Sequence, residues 1–346
     1  MKVLSLLFFF VSFSLFAYET DQYTLPPQKL KDLSSDISGY IYKKIALAVK
    51  KFNCEHPTPF ESSEQVNLLQ IAQEIYESIE GGVLLTETVE GWLGNSNFAP
   101  PLLKERYPND YLSFRPLPND SIYRHATYHR GLGVGFKYLF SATINLYGIH
   151  LGTDKLGHFF KQGHQYFELY MTAKKAGMSH QEAQKYAAYE RGFKTERGIF
   201  GIGLSGVFSN ADLFTNYTGM KFYQNLLRPQ VIAGITYPAI LHIAKGKLAI
   251  LNVPENAPFE IFKRFVHPQM NEAMNPCFYD PIINRAISKN ILRVCPMWKK
   301  EFPSYNMAQE SQRLEFYKKW WGEDYGHSLI SAPNEELITI GNSCFF

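Results

Sequence analysis

The sequence predicts a mainly α protein: a helical bundle core with long irregular connections rich in Pro and Asn. Three observations carry this. Apolar residues recur at helical spacing in several long segments. Capping residues and glycines bracket those segments. Between them lie stretches such as "NSNFAPPLLKERYPNDYLSFRPLPND" (95–120), too rich in Pro and Asn for a regular element.

The chain opens with "MKVLSLLFFFVSFSLFAYET", one Lys followed by an uncharged run from Val3 to Ala17. That run is short for a membrane span and matches a signal peptide with a cleavage site after Ala17, an uncleaved anchor being the alternative. We therefore read residues 1–17 as a leader and expect a periplasmic or secreted protein with no transmembrane span in the mature chain. Three regions follow: an N-terminal helical region with a long loop (18–115), a central helical core (116–232) and a C-terminal irregular and helical region packed on it (233–346). A hydrophobic fraction of 45 % and a charged fraction of 19 % permit a real core. A net charge of +3 with no dense basic block argues against nucleic acid as a partner. Aromatic residues reach 15 %, and exposed ones would suit an envelope glycan such as peptidoglycan. The oligomeric state is left open.

Taken in order, Leu30–Lys51 reads as a helix with Ile37, Ile41, Ile45 and Val49 on one side. A second helix lies in "ESSEQVNLLQIAQEIYESIEGG", with Ser62 or Ser63 as its cap and Gly81-Gly82 at its end. After the long connection comes "SIYRHATYHRG", with His125 and His129, and then an apolar segment, Phe136–Tyr147. "TDKLGHFFKQGHQYF" (153–167) begins the next helix. At one hundred degrees per residue, Asp154, His158, Lys161, Gln165 and Glu168 share a stripe opposite an apolar face. That pattern alone also describes an ordinary amphipathic helix.

A hairpin partner follows, opened by a capping box of Ser179 and Glu182 and ending near Gly198. Glu196 falls in its last turn, where the helix dipole disfavours an anion. The segment "GIFGIGLSGVFSN" is too Gly-rich for a helix and too apolar for a free loop, so it predicts a buried turn or short hairpin. Ser209 and Asp212 form a second capping box, opening a helix whose stripe carries Asp212, Asn216, Gly219 and Tyr223. Gly219 would admit another helix closely, with Asp154, His158 and Lys161 as partners for the buried polar groups. "FKRFVHPQMNEAMNPCFYDP" reads as mostly irregular. Trp320-Trp321 would anchor the core or offer a stacking surface. Of the four cysteines, Cys277 and Cys295 each adjoin proline in one short stretch, and an exported chain permits a bridge between them. No Cys/His spacing fits structural zinc.

The order Asp-Lys-x-x-His, then Glu, then Ser-x-x-Asp-x-x-x-Asn-x-x-Gly resembles poorly characterised bacterial envelope proteins with a VanZ-like pattern, over about residues 152–223. The resemblance implies a shared polar cluster of Asp154, Lys155, His158, Glu196, Ser209, Asp212 and Asn216, and it supplies no reaction. "TERGIFGIGLSG" followed by "NYTGMKFY" is similar to lysozyme-like and lytic transglycosylase domains, which place a catalytic Glu at a helix end before a Gly-rich segment.

Three functions compete. The first is a hydrolase or lyase on cell-wall glycan, with Glu196 as general acid, Glu190 as its alternate, and Asp212, His158 and Asp154 around it. The second is a metal-dependent hydrolase in which Asp154, His158, Glu196 and Asp212 hold a weakly bound divalent cation, joined by His125, His129 or His150. The third is a non-catalytic envelope protein whose buried charges fix helix packing. No other cofactor is expected.

Overall fold

The computed structural model describes residues 18–126, 139–198, 201–203, 205–232, 234–251, 260–320, 322–326 and 337–345. The expected leader (1–17), His129 and Trp321 lie outside these residues. The described chain is mainly helical, with five two-stranded sheets.

The first helix, Ser34–Glu55, buries Ile37, Ile41, Ile45, Val49 and Phe52 at the spacing its sequence sets. It packs on Leu68–Glu80, which begins later than expected. Asn67 caps that helix, accepting from Gln70 N, whereas Ser63 opens a separate 3₁₀ turn, Ser63–Gln65. Gly81 ends it in the left-handed region at φ 36°. The long connection holds a short helix of its own, Leu102–Arg106. The apolar segment before residue 147 is extended. Thr143–Leu146 pairs antiparallel with Ile149–Gly152. Tyr147 and Gly148 both take positive φ, as a two-residue hairpin turn of this hand requires. This hairpin delivers the chain directly to Asp154.

Residues 154–175 form one helical run made of Asp154–Gly157, a π-helical turn His158–Gln162, and Gly163–Lys175. The antiparallel partner is built the same way: His180–Ala187, a π turn Ala188–Phe193, and Lys194–Arg197. Its capping box, Ser179 with Glu182, is present in both directions. The Asn210–Gln224 helix is buried along its whole length and crosses the Gly163–Lys175 helix. Two glycines set that crossing. A Cβ on Gly163 would lie 2.6 Å from Gly219 Cα, and one on Gly219 would strike the Phe159 carbonyl. The Tyr223 hydroxyl then donates to the Phe160 carbonyl at 3.0 Å, inside the π turn.

The main apolar core draws on residues from Leu33 to Tyr325. Trp320 is fully buried in it. The Gly-rich segment is a turn leading to the strand Val207–Ser209, whose partner is the distant strand Cys277–Tyr279. The region around 260–280 holds a short helix, Glu260–Lys263, and a 3₁₀ turn, Pro268–Met270, besides that strand. After it, Pro281–Glu301 forms a long helix with Asp280 as N-cap, Pro281 in its first turn, and Ile283, Ile287, Ile291, Val294 and Trp298 buried in a second core.

That helix overturns the expected Cys277–Cys295 bridge. Cys277 lies before the helix and Cys295 well inside it, roughly 20 Å further along at 1.5 Å per residue. Cys295 is instead bonded to Cys344, 49 residues away in sequence, in the helix Ile340–Cys344. Cys277 is a buried free thiol and Cys54 an exposed one. Among the described residues no helix is long and apolar enough to cross a membrane.

Both the helix crossing and the disulfide can be tested. Gly163→Ala should destabilise the protein by about 1–3 kcal/mol in denaturant titration, because neither backbone at the crossing has room to retreat. Non-reducing peptide mapping should recover Cys295 linked to Cys344. Alkylation of the folded protein should label Cys54 but not Cys277. In the chain-entropy view, loss of this bridge costs about 4 kcal/mol.

Candidate functional site: an acid cluster around a buried lysine

The site forms where the His150 hairpin meets the two π-turned helices. Lys155, the second residue of its helix, is 1 % exposed. Its ammonium touches three carboxylates. Nζ lies 2.7 Å from Asp154 Oδ2 and 2.6 Å from Asp212 Oδ1, and it donates to Glu272 Oε1. Asp154 and Glu272 accept hydrogen bonds from it, while Asp212 Oδ1 is held by charge and accepts no hydrogen bond among the described residues. Asp154 Oδ1 accepts from the Thr20 hydroxyl at 2.7 Å. Gly152 is required beside this pair, since a side chain there would overlap both Asp154 and Thr20.

Asp212 is placed by its helix start. Ser209 caps that helix by accepting from Asp212 N at 3.1 Å. The expected reciprocal half of the capping box is not the fate of the Asp212 carboxylate, which turns to Lys155 and His158 instead. Ser209 Oγ also donates to Glu272 Oε2 at 3.0 Å. Glu272 N donates to Gln22 Oε1 at 2.7 Å, and the Cys277 thiol lies 3.2 Å from Glu272 Oε2.

His158 stands at the solvent edge, with its side chain 23 % exposed. Nδ1 lies 3.0 Å from Asn216 Oδ1, so in this amide orientation it carries the proton and donates. Nε2 faces Asp212 Oδ2 at 3.5 Å. Asn216 Nδ2 in turn reaches the buried Tyr166 hydroxyl at 3.5 Å. His158 opens one π turn, and Glu196 follows the other by three residues. Such turns, one residue wider than an α turn, re-aim side chains at functional sites.

Glu196 is buried at the end of its helix. The Gly-rich turn folds back on it: Ile202 N donates to the Glu196 carbonyl at 2.8 Å. A Cβ on Gly201 would come within 2.6 Å of Glu196 Oε2, so glycine there leaves room for the carboxyl.

One ammonium cannot neutralise this many acids, and the surplus holds protons. Burial, reinforced by the charges of Asp212 and Glu19, pushes Glu196 well above the ordinary carboxylate range. Burial, with Glu272 and Asp212, does the same to Glu19. Burial also raises Glu272, although Lys155 opposes it. Asp212 goes the other way. Burial opposes its ionisation, but His158 and Lys155 outweigh burial and hold it below its ordinary value. Burial likewise opposes the Lys155 charge, and Asp154, Asp212 and Glu272 together overcome it and raise its pKa well above the usual lysine value.

Of the residues expected to converge, Asp154, Lys155, His158, Ser209, Asp212 and Asn216 meet directly, and Glu196 lies within reach of their charges. Glu190 does not join them: it is partly exposed and pairs with Lys194 at 2.8 Å, one helical turn on. Lys161, expected as a partner, acts on Glu80 instead. His125 is exposed and accepts from Arg124 Nε at 2.9 Å. His150 sits in the hairpin and lines a different cleft. Glu19, Thr20, Gln22, Glu272 and Cys277 were not foreseen. The first three follow the leader in "YETDQ", where four consecutive polar residues, Glu19 to Gln22, are all buried. That polar run before Tyr23 was the available signal.

Asp154, His158 and Asp212 offer ligand atoms that all lie within 4.8 Å of one another, close enough to hold a metal ion. The Lys155 ammonium already bridges both aspartates, so a cation there would share its two carboxylates with a fixed positive charge. Comparison with protein-family models, with curated proteins and with solved structures finds no match for this chain.

Glu196 and Asp212 have opposite effects on stability. A carboxyl raised in the fold keeps its proton while the unfolded chain loses one near pH ~4.3, so its contribution falls as pH rises from there toward the native pKa. Asp212, held down, contributes stability above pH ~3.9 that is lost as pH falls through its native pKa. Glu196→Gln should therefore raise stability at neutral pH and flatten its decline above about pH 4. An unchanged slope would mean that Glu196 ionises like an exposed glutamate. Lys155→Met should cost about 3–5 kcal/mol, because it leaves three buried carboxyls without their cation.

Proposed function

We propose that the chain is an exported hydrolase or lyase acting on cell-envelope glycan, with Glu196 as general acid. The observation that supports this reading is the splitting of two neighbouring carboxyls, Glu196 driven up by burial and Asp212 held down by His158 and Lys155. Environments that push paired acids apart are how one site keeps a proton donor and an anion together near neutral pH. In this reading Glu196 gives its proton to the departing glycosidic oxygen, and the Asp212 carboxylate stabilises the positive charge that develops on the sugar. His158, held by Asn216 and open to solvent, orients the group that meets Asp212. Lys155 touches no substrate; it keeps Asp212 ionised. Export rests on the N-terminal apolar run, and the Cys295–Cys344 disulfide is compatible with an oxidising compartment.

A second reading, a metal-dependent hydrolase, has the closeness of Asp154, His158 and Asp212 in its favour. One experiment separates the two. Purified protein is incubated with peptidoglycan and released fragments are counted. Glu196→Gln should lower release by about a hundredfold or more while the melting temperature holds or rises. His158→Ala should lower release without rescue by added Mg²⁺, Mn²⁺ or Zn²⁺; rescue would favour the metal. If wild-type protein releases no fragments and both variants change only stability, the cluster serves packing alone.

A further inference from the structure

A concave site lies apart from the acid cluster, with Gln22 and Asn271 in its lining. It is a cleft of about 750 Å³, bounded by the N-terminal segment 22–29, the His150 hairpin, and the ends of the Pro281–Glu301 and Ile340–Cys344 helices. Pockets that enclose small ligands run roughly 300–1,000 Å³. Its walls are apolar: Leu25, Met274, Met297, Trp298, Phe302 and Phe345. Trp298 and Phe302 stack with ring centres 5.2 Å apart. Met297 is 46 % and Phe302 41 % exposed, and both line the cleft, so they extend its apolar wall to solvent.

Several polar groups of the lining are already bonded within the protein, Thr143 Oγ1 being a buried exception. Gln22 Nε2 and Asn271 Nδ2 both donate to the His150 carbonyl at 3.0 Å. Trp298 Nε1 donates to the Tyr23 carbonyl at 2.6 Å, and the Tyr305 hydroxyl donates to Glu310. A sugar needs many free donors and acceptors, and these groups offer few. A hydrocarbon chain needs none. Charge at the rim adds a sign: exposed Lys29 and Lys300 outnumber Glu301. The disulfide braces the cleft, since Cys295 precedes Met297 and Trp298 on one wall and Cys344 precedes Phe345 on the other.

We propose that this cleft binds a long-chain fatty acyl anion, with the hydrocarbon against Trp298, Phe302 and the two methionines and the carboxylate at Lys29 and Lys300. The interaction is independent of the acid cluster and of any reaction there.

The test is displacement of a fluorescent acyl probe from the oxidised, full mature chain by palmitate, by dodecyl maltoside and by a chito-oligosaccharide. Palmitate should displace the probe and the oligosaccharide should not. Phe302→Asp and, separately, Met297→Asp should weaken palmitate at least tenfold with an unchanged melting temperature; both side chains are exposed enough for the fold to survive. The double variant Lys29→Glu with Lys300→Glu should weaken palmitate several-fold and leave dodecyl maltoside, which has an apolar chain and no charge, unaffected. Reduction of Cys295–Cys344 should weaken both amphiphiles. The proposal is overturned if palmitate does not displace the probe, if neither Asp substitution changes its affinity, or if the oligosaccharide is the better competitor.

Discussion

The fold closes around one buried ammonium group. Lys155 is enclosed by carboxylates from three places in the chain, Asp154 beside it, Asp212 at the start of the Asn210–Gln224 helix, and Glu272 in the segment before the Cys277 strand. Each partner is oriented by something else: Asp154 by Thr20, Glu272 by Ser209 and Gln22. A charge taken out of water costs several kcal/mol even after relaxation, so such a hub is tolerated only when opposite charges enclose it closely. Pairing them requires that the N-terminal segment with Thr20 and Gln22, the start of the helical run at Asp154, the start of the Asn210–Gln224 helix and the 272–277 segment all sit in register. The cluster thus couples parts of the chain more than two hundred residues apart. A hydrophobic hub of equal volume would ask for less geometry and would specify it less.

The same crowding explains why the site holds protons. Three carboxylates share Lys155, and Glu19 and Glu196 stand close behind them. Among the described residues, Lys155 and the His158 ring face five acids. Electrostatics then assigns the protons by position. Asp212, touching Lys155 and close to His158, stays an anion. Glu196, without a cation of its own and beneath the Gly-rich turn, keeps its proton. The donor and the anion arise from one arithmetic of charge, with no metal needed to produce the difference.

Much of this was legible in the sequence, and the failures have physical causes. The Asp154 and His158 spacing, the Ser179–Glu182 box and the open face at Gly219 are local patterns with local meaning, and they hold. Lys155 was harder. One hundred degrees off the polar stripe, it belongs on the apolar side, yet its long stem carries the ammonium into the cluster. The π turn starting at His158 also breaks the helical wheel that placed Lys161 with the site. Glu19 and Glu272 lie in segments without periodicity, so no pattern could assign them a face. The Cys277–Cys295 pairing rested on the adjoining Pro276 and Pro296 in one short stretch, and it failed because a long helix fills most of that stretch. Pro281 in fact sits in the first turn of a helix, where its missing N–H costs nothing, and the Ile283, Ile287, Ile291 series was the overlooked helical signal.

Gln22 shows how tightly the two sites are built into one wall. Its carbonyl oxygen accepts from Glu272 N on the acid side, and its amide nitrogen donates to the His150 carbonyl on the cleft side. Asn271, next to Glu272, donates to that same carbonyl. One buried amide therefore holds the backbone of an acid-bearing residue and closes the floor of an apolar cleft. This shared wall does not by itself make the sites communicate, because coupling needs an element with two arrangements that both sites bias. Gln22 bonds through both its amide nitrogen and its amide oxygen and is buried, which describes a rigid partition. The geometry favours two sites that share a support and act separately, so that filling the cleft would leave the balance of protons around Lys155 where the fold put it.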